Sequence, residues 1–278
     1  MKNISVINKY LIPLWLFTCL TACSSSKKNY LHSTSVSIQR ITGTEFFNTV
    51  AAWKWSVRDS LAVQEILSGN IPSFLQRFVA VSSRITDSAG IVHHAVFYVS
   101  PDYLSLGTDD DWARVPLTPM AAQKIADTFH CFLPTRKMVD LIYEQATVKL
   151  EPVPMYAFRD SSVTMWQHHL VIEGQRKERK GLIAGIKKDV VISAKILTDV
   201  KTGRVAIYGW HQLNGKAIQP LYTGHINWYV DYSHGTRLVY EKINVDGKEM
   251  NYTDVLNHPL YKKLLCDEER CDFYKYPY

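Results

Sequence analysis

The sequence lacks the features that mark several large classes of protein. Its 278 residues include only five cysteines, too few for a disulfide scaffold, and its 13 glycines and 11 prolines are too few for a collagen-like or linker protein. The net charge of +6 falls well short of the concentrated basic stripe of a nucleic-acid-binding protein, so we expect no nucleic-acid partner. With 46% hydrophobic residues, the chain is too apolar for global disorder and can bury a core.

The first 23 residues carry the pattern of an export signal. Two lysines precede an apolar stretch over residues 10–20, which is too short to cross a bilayer as a mature helix. The sequence Leu20-Thr21-Ala22-Cys23 that follows resembles the signal of bacterial lipoprotein precursors, in which the cysteine thiol receives the lipid. This resemblance implies a lipid anchor on Cys23 and a place in the cell envelope, attached to a membrane and either periplasmic or surface-exposed. An ordinary secretory signal with an accidental cysteine is the alternative.

Cleavage at this site would divide the chain into three parts. Residues 1–22 would leave as the signal peptide, and the loss of their two lysines would lower the net charge from +6 to +4. Residues 23–43 are rich in serine, lysine and threonine, which predicts a flexible tether. Residues 44–278 contain no internal repeat and no Pro- or Gly-rich linker, so we expect them to form one globular domain.

Three cysteines remain once the signal peptide is removed and Cys23 carries lipid. Exported proteins meet oxidising conditions, in which disulfides form. Cys266 and Cys271 are close in sequence, so we expect a bridge that closes a small loop. Cys131 is then the odd thiol, either a buried inert residue or a nucleophile.

Hydrophobic spacing and turn residues predict an α+β fold in which N-terminal helices pack on a mostly antiparallel sheet. Two-residue turns are expected at Asn214-Gly215 and Thr223-Gly224, so that the strands around them form successive hairpins. The order of elements resembles that of papain-like cell-wall peptidases, and a strongly curved, barrel-like sheet is the alternative. We expect helices over 44–53, 57–68, 118–129, 162–176 and 253–265 and from residue 135, and strands over 74–85, 91–100, 181–185, 190–197, 205–213, 216–222, 225–232 and 236–245.

Titratable and aromatic residues concentrate between residues 208 and 237. If both turns form, strand alternation places His211, His225 and Asp231 on one face. His225 stands six residues from Asp231, roughly 20 Å along a regular strand, so we expect it to lie outside the site. His211, Asp231 and His234 would gather at one end as the candidate catalytic residues.

Aromatic and basic side chains near these residues suit a ligand cleft. A cross-strand ion pair between Lys216 and Asp231 would explain that carboxylate without catalysis. The expected ligand-binding residues are Trp210, Trp228, Tyr229 and Arg237.

The segment Ser233-His234-Gly235-Thr236-Arg237 is similar to the Ser-His-Gly-Cys-x-Arg motif of the L,D-transpeptidases, which cross-link bacterial peptidoglycan. In that family the cysteine thiolate is the nucleophile and an upstream histidine, loosely matched here by His211, activates it. Thr236 stands in the cysteine position, so the nucleophile is missing. The resemblance covers a short part of the chain and implies a fold and a cell-wall location rather than that activity.

Three kinds of chemistry fit these residues. A cysteine hydrolase would use Cys131 as nucleophile, His211 or His234 as base, and Asp231 to orient the base. A zinc hydrolase would bind the metal through His211, Asp231 and His234 and leave a position open for water. A non-catalytic module would stack its tryptophans and tyrosines on sugar or peptide. We expect a hydrolase or remodelling enzyme for peptidoglycan or another envelope polymer, with a glycan- or peptide-binding surface lipoprotein as the alternative.

Overall fold

The computed structural model describes residues 30–31, 40–198 and 201–278. The lipoprotein motif at Cys23 and most of the predicted tether lie outside the described residues. The described chain has the predicted α+β fold, with mostly antiparallel sheets, and none of these sheets closes into a barrel. The barrel-like alternative is therefore wrong. None of the helices in these ranges is long and apolar enough to span a bilayer.

The described helices and strands alternate along the chain more than the predicted order implies. The α-helices are α1 (Gly43–Thr49), α2 (Trp55–Leu67), α3 (Pro119–Thr128), α4 (Arg136–Gln145), α5 (Ser162–Arg176), α6 (Tyr252–Asn257) and α7 (Lys262–Leu265), and short 3-10 helices span Ser73–Gln76 and Ala194–Thr198. The strands are β1 (Val79–Thr86), β2 (Val92–Val99), β3 (Ser105–Gly107), β4 (Trp112–Arg114), β5 (Cys131–Phe132), β6 (Val148–Lys149), β7 (Ile183–Ala184), β8 (Lys188–Val191), β9 (Arg204–His211), β10 (Ala217–Ile226), β11 (His234–Gly235), β12 (Val239–Tyr240), β13 (Lys242–Val245) and β14 (Lys248–Asn251).

Two sheets carry most of these strands. The larger has the order β14-β13-β2-β12-β5, with β1 paired to β2, and all its neighbours are antiparallel. The smaller has the order β10-β9-β8-β11, in which β8 and β11 run parallel. The strands β3 and β4 form one two-stranded sheet, and β6 and β7 form another. Most of the predicted catalytic and ligand-binding residues belong to the smaller sheet or to the loop that enters β11.

Capping side chains set the start of the helices. Thr118 and Thr135 each accept a hydrogen bond from a backbone N–H in the first turn, and Pro119 occupies the first position of α3, as predicted. Helix α1 begins before the predicted Thr44, because Thr42 and Glu45 form a reciprocal capping box.

One buried hydrophobic cluster draws on residues from Leu31 to Tyr276. Tyr30 and Leu31 fall in the segment predicted as tether, yet Leu31 is buried and the ring of Tyr30 stacks on Phe78 at 4.9 Å. These two residues therefore pack on the folded chain. At the other end, Cys266 and Cys271 form the disulfide that their spacing predicts.

Gly235 allows β11 to lie close to the chain beneath it. A Cβ atom at this position would lie 2.4 Å from Cδ1 of Tyr103 and 2.7 Å from Cβ of Lys187. Both distances are far shorter than a van der Waals contact, so a side chain here would force β11 away from β8. The glycine of the Ser-His-Gly segment thus has a packing role.

We expect Gly235→Ala to lower the free energy of unfolding by about 1–3 kcal/mol, because the new methyl group overpacks this contact. Gly174→Ala is the matched control, since Gly174 lies in α5 and a Cβ there meets nothing within 4 Å. Alanine at that helical position should stabilise the protein by about 0.5–1 kcal/mol. Urea unfolding measures both values, and equal changes in the two variants would contradict the packing role of Gly235.

Candidate functional site

The β9–β10 hairpin has a different register from the predicted one. Its loop contains three residues, Leu213–Gly215, because Gln212 N–H donates to the Lys216 carbonyl and Gly215 adopts a left-handed φ of 86°. His211 therefore pairs with Ala217. The second predicted hairpin is also wrong, because β10 continues through Thr223 and Gly224.

A second irregularity turns His211 away from the expected face. Gly209 and Trp210 have φ values of 105° and 58°, which interrupt the alternation of side chains along β9. Nε2 of His211 consequently lies 2.9 Å from Oδ1 of Asp140 in α4, and its ring stacks on Tyr143 at 4.5 Å. Since β8 separates β9 from β11, these two strands are roughly 10 Å apart. The structure does not bring His211 together with His234.

His225 takes the place near His234 that was expected for His211. The strand β10 ends at Ile226, and the chain turns back so that Tyr229 N–H donates to the Ile226 carbonyl. This turn brings the His225 ring centroid to 4.6 Å from Tyr229 and to 5.6 Å from His234. The exclusion of His225 was wrong because it assumed one straight strand from His225 to Asp231.

Asp231 is held by hydrogen bonds to both of its carboxylate oxygens. Oδ1 accepts from the backbone N–H and the hydroxyl of Ser233, at 2.9 and 2.5 Å. Oδ2 accepts from the Tyr229 hydroxyl at 3.1 Å and lies 3.1 Å from a guanidinium nitrogen of Arg159. Arg159, rather than the predicted Lys216, therefore forms the ion pair.

The surroundings of Asp231 favour its ionised form. Burial opposes ionisation, but the nearby His234 imidazole and the two hydrogen bonds from Ser233 outweigh burial and lower the pKa of the carboxyl group. Asp231 is thus a carboxylate at neutral pH.

His234 is as deeply buried as Asp231. It is 1% exposed, and its Nε2 has no hydrogen-bond partner among the described residues. Burial lowers the pKa of this imidazole, although the charge of Asp231 opposes the shift, so the ring is neutral near pH 7. A buried nitrogen without a partner costs about 1–3 kcal/mol, which a polar group of a bound ligand can recover. We refer to His225, Tyr229, Asp231 and His234 as the His–Asp cluster.

Two cations border the His–Asp cluster. Arg159 contacts Asp231, yet its side chain is 42% exposed and can also reach a ligand. Lys188 pairs with His234 across β8 and β11, and its Nζ lies 5.1 Å from the ring centroid of Trp210. Burial lowers the pKa of Lys188, and Asp231 opposes this shift. The predicted ligand-binding residue Trp210 is itself buried, and its ring packs against the Lys188 ammonium.

The sequence gives no sign of Arg159 as part of the site, and it leaves Lys188, near the start of a strand, as a residue either of the cleft or of the sheet edge. Arg159 lies in the loop before α5, far from Asp231 in sequence, and no local pattern marks it. Lys188 reaches the site through the parallel pairing of β8 with β11, whereas the sequence predicts a mostly antiparallel sheet.

Other predicted residues lie in the interior. The guanidinium of Arg237 donates to the carbonyls of Ser100 and Ile183 and lies 4.3 Å from the ring centroid of Tyr103. Thr236, in the position of the transpeptidase cysteine, is fully buried. Both residues hold β11 in place rather than facing solvent.

Cys131 lies in β5 of the larger sheet, apart from the His–Asp cluster. Its thiol is buried and donates to the carbonyl of Phe129 at 3.3 Å. Burial strongly raises the pKa of this thiol, so it does not supply the thiolate that nucleophilic attack requires.

The donors expected to bind zinc are also separated. Within residues 30–31, 40–198 and 201–278, no group of three His, Cys, Asp or Glu side chains is arranged to hold a metal ion. The proposed set of His211, Asp231 and His234 is divided because His211 contacts Asp140.

A groove of about 340 Å³ begins beside the His–Asp cluster. Its lining includes Trp228 and Tyr229, both predicted to bind ligand, together with Trp53 and Trp55. Trp53 is 42% and Trp228 46% exposed, so their rings are open to a ligand. The site thus combines acid–base groups with an aromatic groove.

Comparison with known proteins gives no family for this chain: no family model, curated protein or solved structure matches it. Its function must therefore be inferred from the site itself.

Lys187 is a buried cation behind the cluster. Its Nζ donates to the carbonyl of Tyr232 and lies 3.2 Å from Nδ1 of His168. Burial, together with the charge of Arg114, lowers the pKa of Lys187 to about 7.

This shift predicts a pH-dependent stability. Between pH 7 and 10 the unfolded chain binds a proton at Lys187 that the native state does not, so this residue makes wild-type stability rise with pH. Lys187→Met lacks this contribution. The unfolding free energy of the wild type, minus that of the variant, should therefore increase by roughly 2 kcal/mol from pH 7 to pH 9.

Urea unfolding at both pH values measures this difference. Lys124→Met is the matched control, because Lys124 is an exposed lysine of α3, and it should follow the wild type. A parallel pH response of wild type and Lys187→Met would contradict the lowered pKa.

Proposed function

We propose that this protein is a lipid-anchored hydrolase or remodelling enzyme of the cell envelope, with peptidoglycan or a related envelope polymer as substrate. The observation that carries the proposal is the approach of His225 to the buried His234 beside an ionised Asp231, whose hydrogen-bond donor Tyr229 lines an aromatic groove. Imidazoles next to a carboxylate suit proton transfer near neutral pH. The lipoprotein motif at Cys23 supports the envelope location.

His225, the more open of the two histidines, acts as general base in this mechanism. It takes a proton from water as the water oxygen bonds to the scissile carbon, and it returns that proton to the leaving nitrogen or oxygen as the old bond breaks. Asp231 stabilises the imidazolium that forms in between. His234 orients the water or substrate through its unpaired Nε2.

Arg159 and Lys188 supply the positive charge that such a reaction needs. Arg159 contacts Asp231 from the exposed side and Lys188 is a buried cation near the same carboxylate, so both can stabilise negative charge developing on the substrate oxygen. No step passes through zinc or Cys131, because the metal donors are divided and the thiol is buried in the other sheet.

A non-catalytic glycan- or peptide-binding lipoprotein is the second candidate. The exposed rings of Trp53 and Trp228 favour it, since solvent-facing aromatic side chains in a groove are typical of ligand recognition. The two candidates differ in whether the protein cleaves its ligand: the enzyme would cleave it with the help of His234, and the binding module would only bind it.

Incubation of the purified protein with peptidoglycan sacculi tests the catalytic proposal. Wild type should release soluble muropeptides, and His234→Gln should lower the rate by about 100-fold or more, because it removes the imidazole beside the reacting water. His94→Gln is the matched control, since His94 is an exposed histidine on β2 of the larger sheet, and its rate should stay near wild type.

Binding to sacculi without release of muropeptides would overturn the catalytic proposal and support the glycan- or peptide-binding lipoprotein. Release that a chelator or alkylation of Cys131 abolishes would favour the zinc or thiol mechanism instead.

The pH dependence of turnover tests the role of His225. Burial lowers the pKa of this histidine from its usual 6.5, although Asp231 opposes the shift. A base of this kind must be unprotonated, so kcat/KM should fall as the pH decreases below its pKa. His225→Gln should lower kcat/KM and remove this acid limb. An acid limb that persists unchanged in the variant would assign the base to another group.

A further inference from the structure

A second groove lies next to the aromatic groove, at the start of helix α2. It has a volume of about 580 Å³ and lies between α2 and α3, with Tyr278 at its edge. Trp55 lines both grooves. The two grooves therefore meet at one side chain, and together they extend from Tyr229 of the His–Asp cluster to Lys124 and Asp127 of α3.

A buried ion pair lies at the junction of the grooves. Arg58 lines the first groove and Asp59 lines the second, and their side chains are 3.2 Å apart. Asp59 also accepts hydrogen bonds from the backbone N–H and the hydroxyl of Thr118. These contacts hold α2 against the start of α3, so the position of the two grooves relative to each other is fixed by buried polar contacts.

The lining suits a neutral, hydroxyl-rich ligand. Lys54 and Asp160 line the first groove, and Lys124 and Asp127 line the second, so each groove carries both signs of charge. Such balance is unlike the basic surface that an anionic polymer requires. The lining also includes indole rings and the hydroxyls of Ser56, Ser60, Thr128 and Ser161.

Sugars match this combination because a pyranose ring has an apolar face, which stacks on an aromatic ring, and a rim of hydroxyl groups. An extended peptide fits less well. The lining residues belong to helices and loops, so the grooves offer no strand edge to which a peptide could add.

We propose that the two grooves form one cleft for an uncharged glycan strand, which would run from the His–Asp cluster across Trp55 to Lys124. The inference rests on the proposed function, which it narrows from an envelope polymer to the glycan part of that polymer. A strand long enough to reach the second groove gains contacts that a short one lacks.

Calorimetric titration of the full chain carrying His234→Gln tests this cleft without turnover of the ligand. The probes are β-1,4-linked N-acetylglucosamine oligomers from dimer to hexamer. The hexamer should bind roughly tenfold or more tightly than the dimer, as expected if one further stacking contact contributes about 1.4 kcal/mol. Equal affinity for all lengths, or no binding of any oligomer, would overturn the proposal.

Variants of residues in the cleft show which contacts give the longer oligomers their higher affinity. Trp55→Ala, added to His234→Gln, should remove most of the length dependence, and Lys124→Ala should weaken only the longer oligomers. Trp228→Ala should weaken all lengths, because Trp228 lies in the first groove. Ile91→Ala is the control, since Ile91 is an exposed apolar residue outside both grooves. Circular dichroism verifies folding. If Trp55→Ala fails to fold, Met120→Ala replaces it, because Met120 lines only the second groove and its loss should weaken only the longer oligomers.

The two proposals fail separately. Muropeptide release by wild type without length-dependent binding would support the enzymatic proposal and contradict the glycan cleft. Length-dependent binding without release would leave the cleft on a binding protein. Tighter binding of a muropeptide stem peptide than of the hexamer would overturn the glycan assignment.

Discussion

The candidate site depends on the hydrogen bonds and the ion pair that the carboxylate of Asp231 receives. Four donors converge on it from Tyr229, Ser233 and Arg159, two of them on each oxygen. These bonds join the turn after β10, the start of β11 and the loop before α5 at one buried charge. Because this anion is buried, losing one of these donors should cost more than losing the same contact at an exposed carboxylate.

A second set of contacts fixes the strands behind that carboxylate. The Tyr103 hydroxyl donates to Asp189 on β8, and the guanidinium of Arg237 lies over the Tyr103 ring. Burial raises the pKa of Asp189 to about 6, opposed by the charge of Arg237. Gly235 completes this packing because its missing side chain makes room for Tyr103. The parallel pairing of β8 with β11, and hence the approach of Lys188 to His234, follows from these contacts.

The features that sequence reasoning predicted correctly are local ones. Thr118 and Thr135 cap their helices through hydrogen bonds within one turn, and the Cys266–Cys271 disulfide spans a short segment. The predicted grouping of site residues was wrong where a small change in the backbone alters the direction of many side chains that follow. Left-handed residues at Gly209 and Trp210 moved His211 to Asp140, because a single break in alternation reverses the face of every later side chain.

The sequence by itself determined the α+β class, the caps of α3 and α4 and the disulfide, since these follow from periodicity, capping and cysteine spacing. It also singled out Asp231 and His234 as candidate site residues. Only the tertiary structure decided which histidine joins them. His225 reaches His234 because the strand ends at Ile226, and Arg159 reaches Asp231 across a large sequence separation. Such contacts depend on chain reversal and on packing between distant segments, and no pattern in neighbouring residues encodes them.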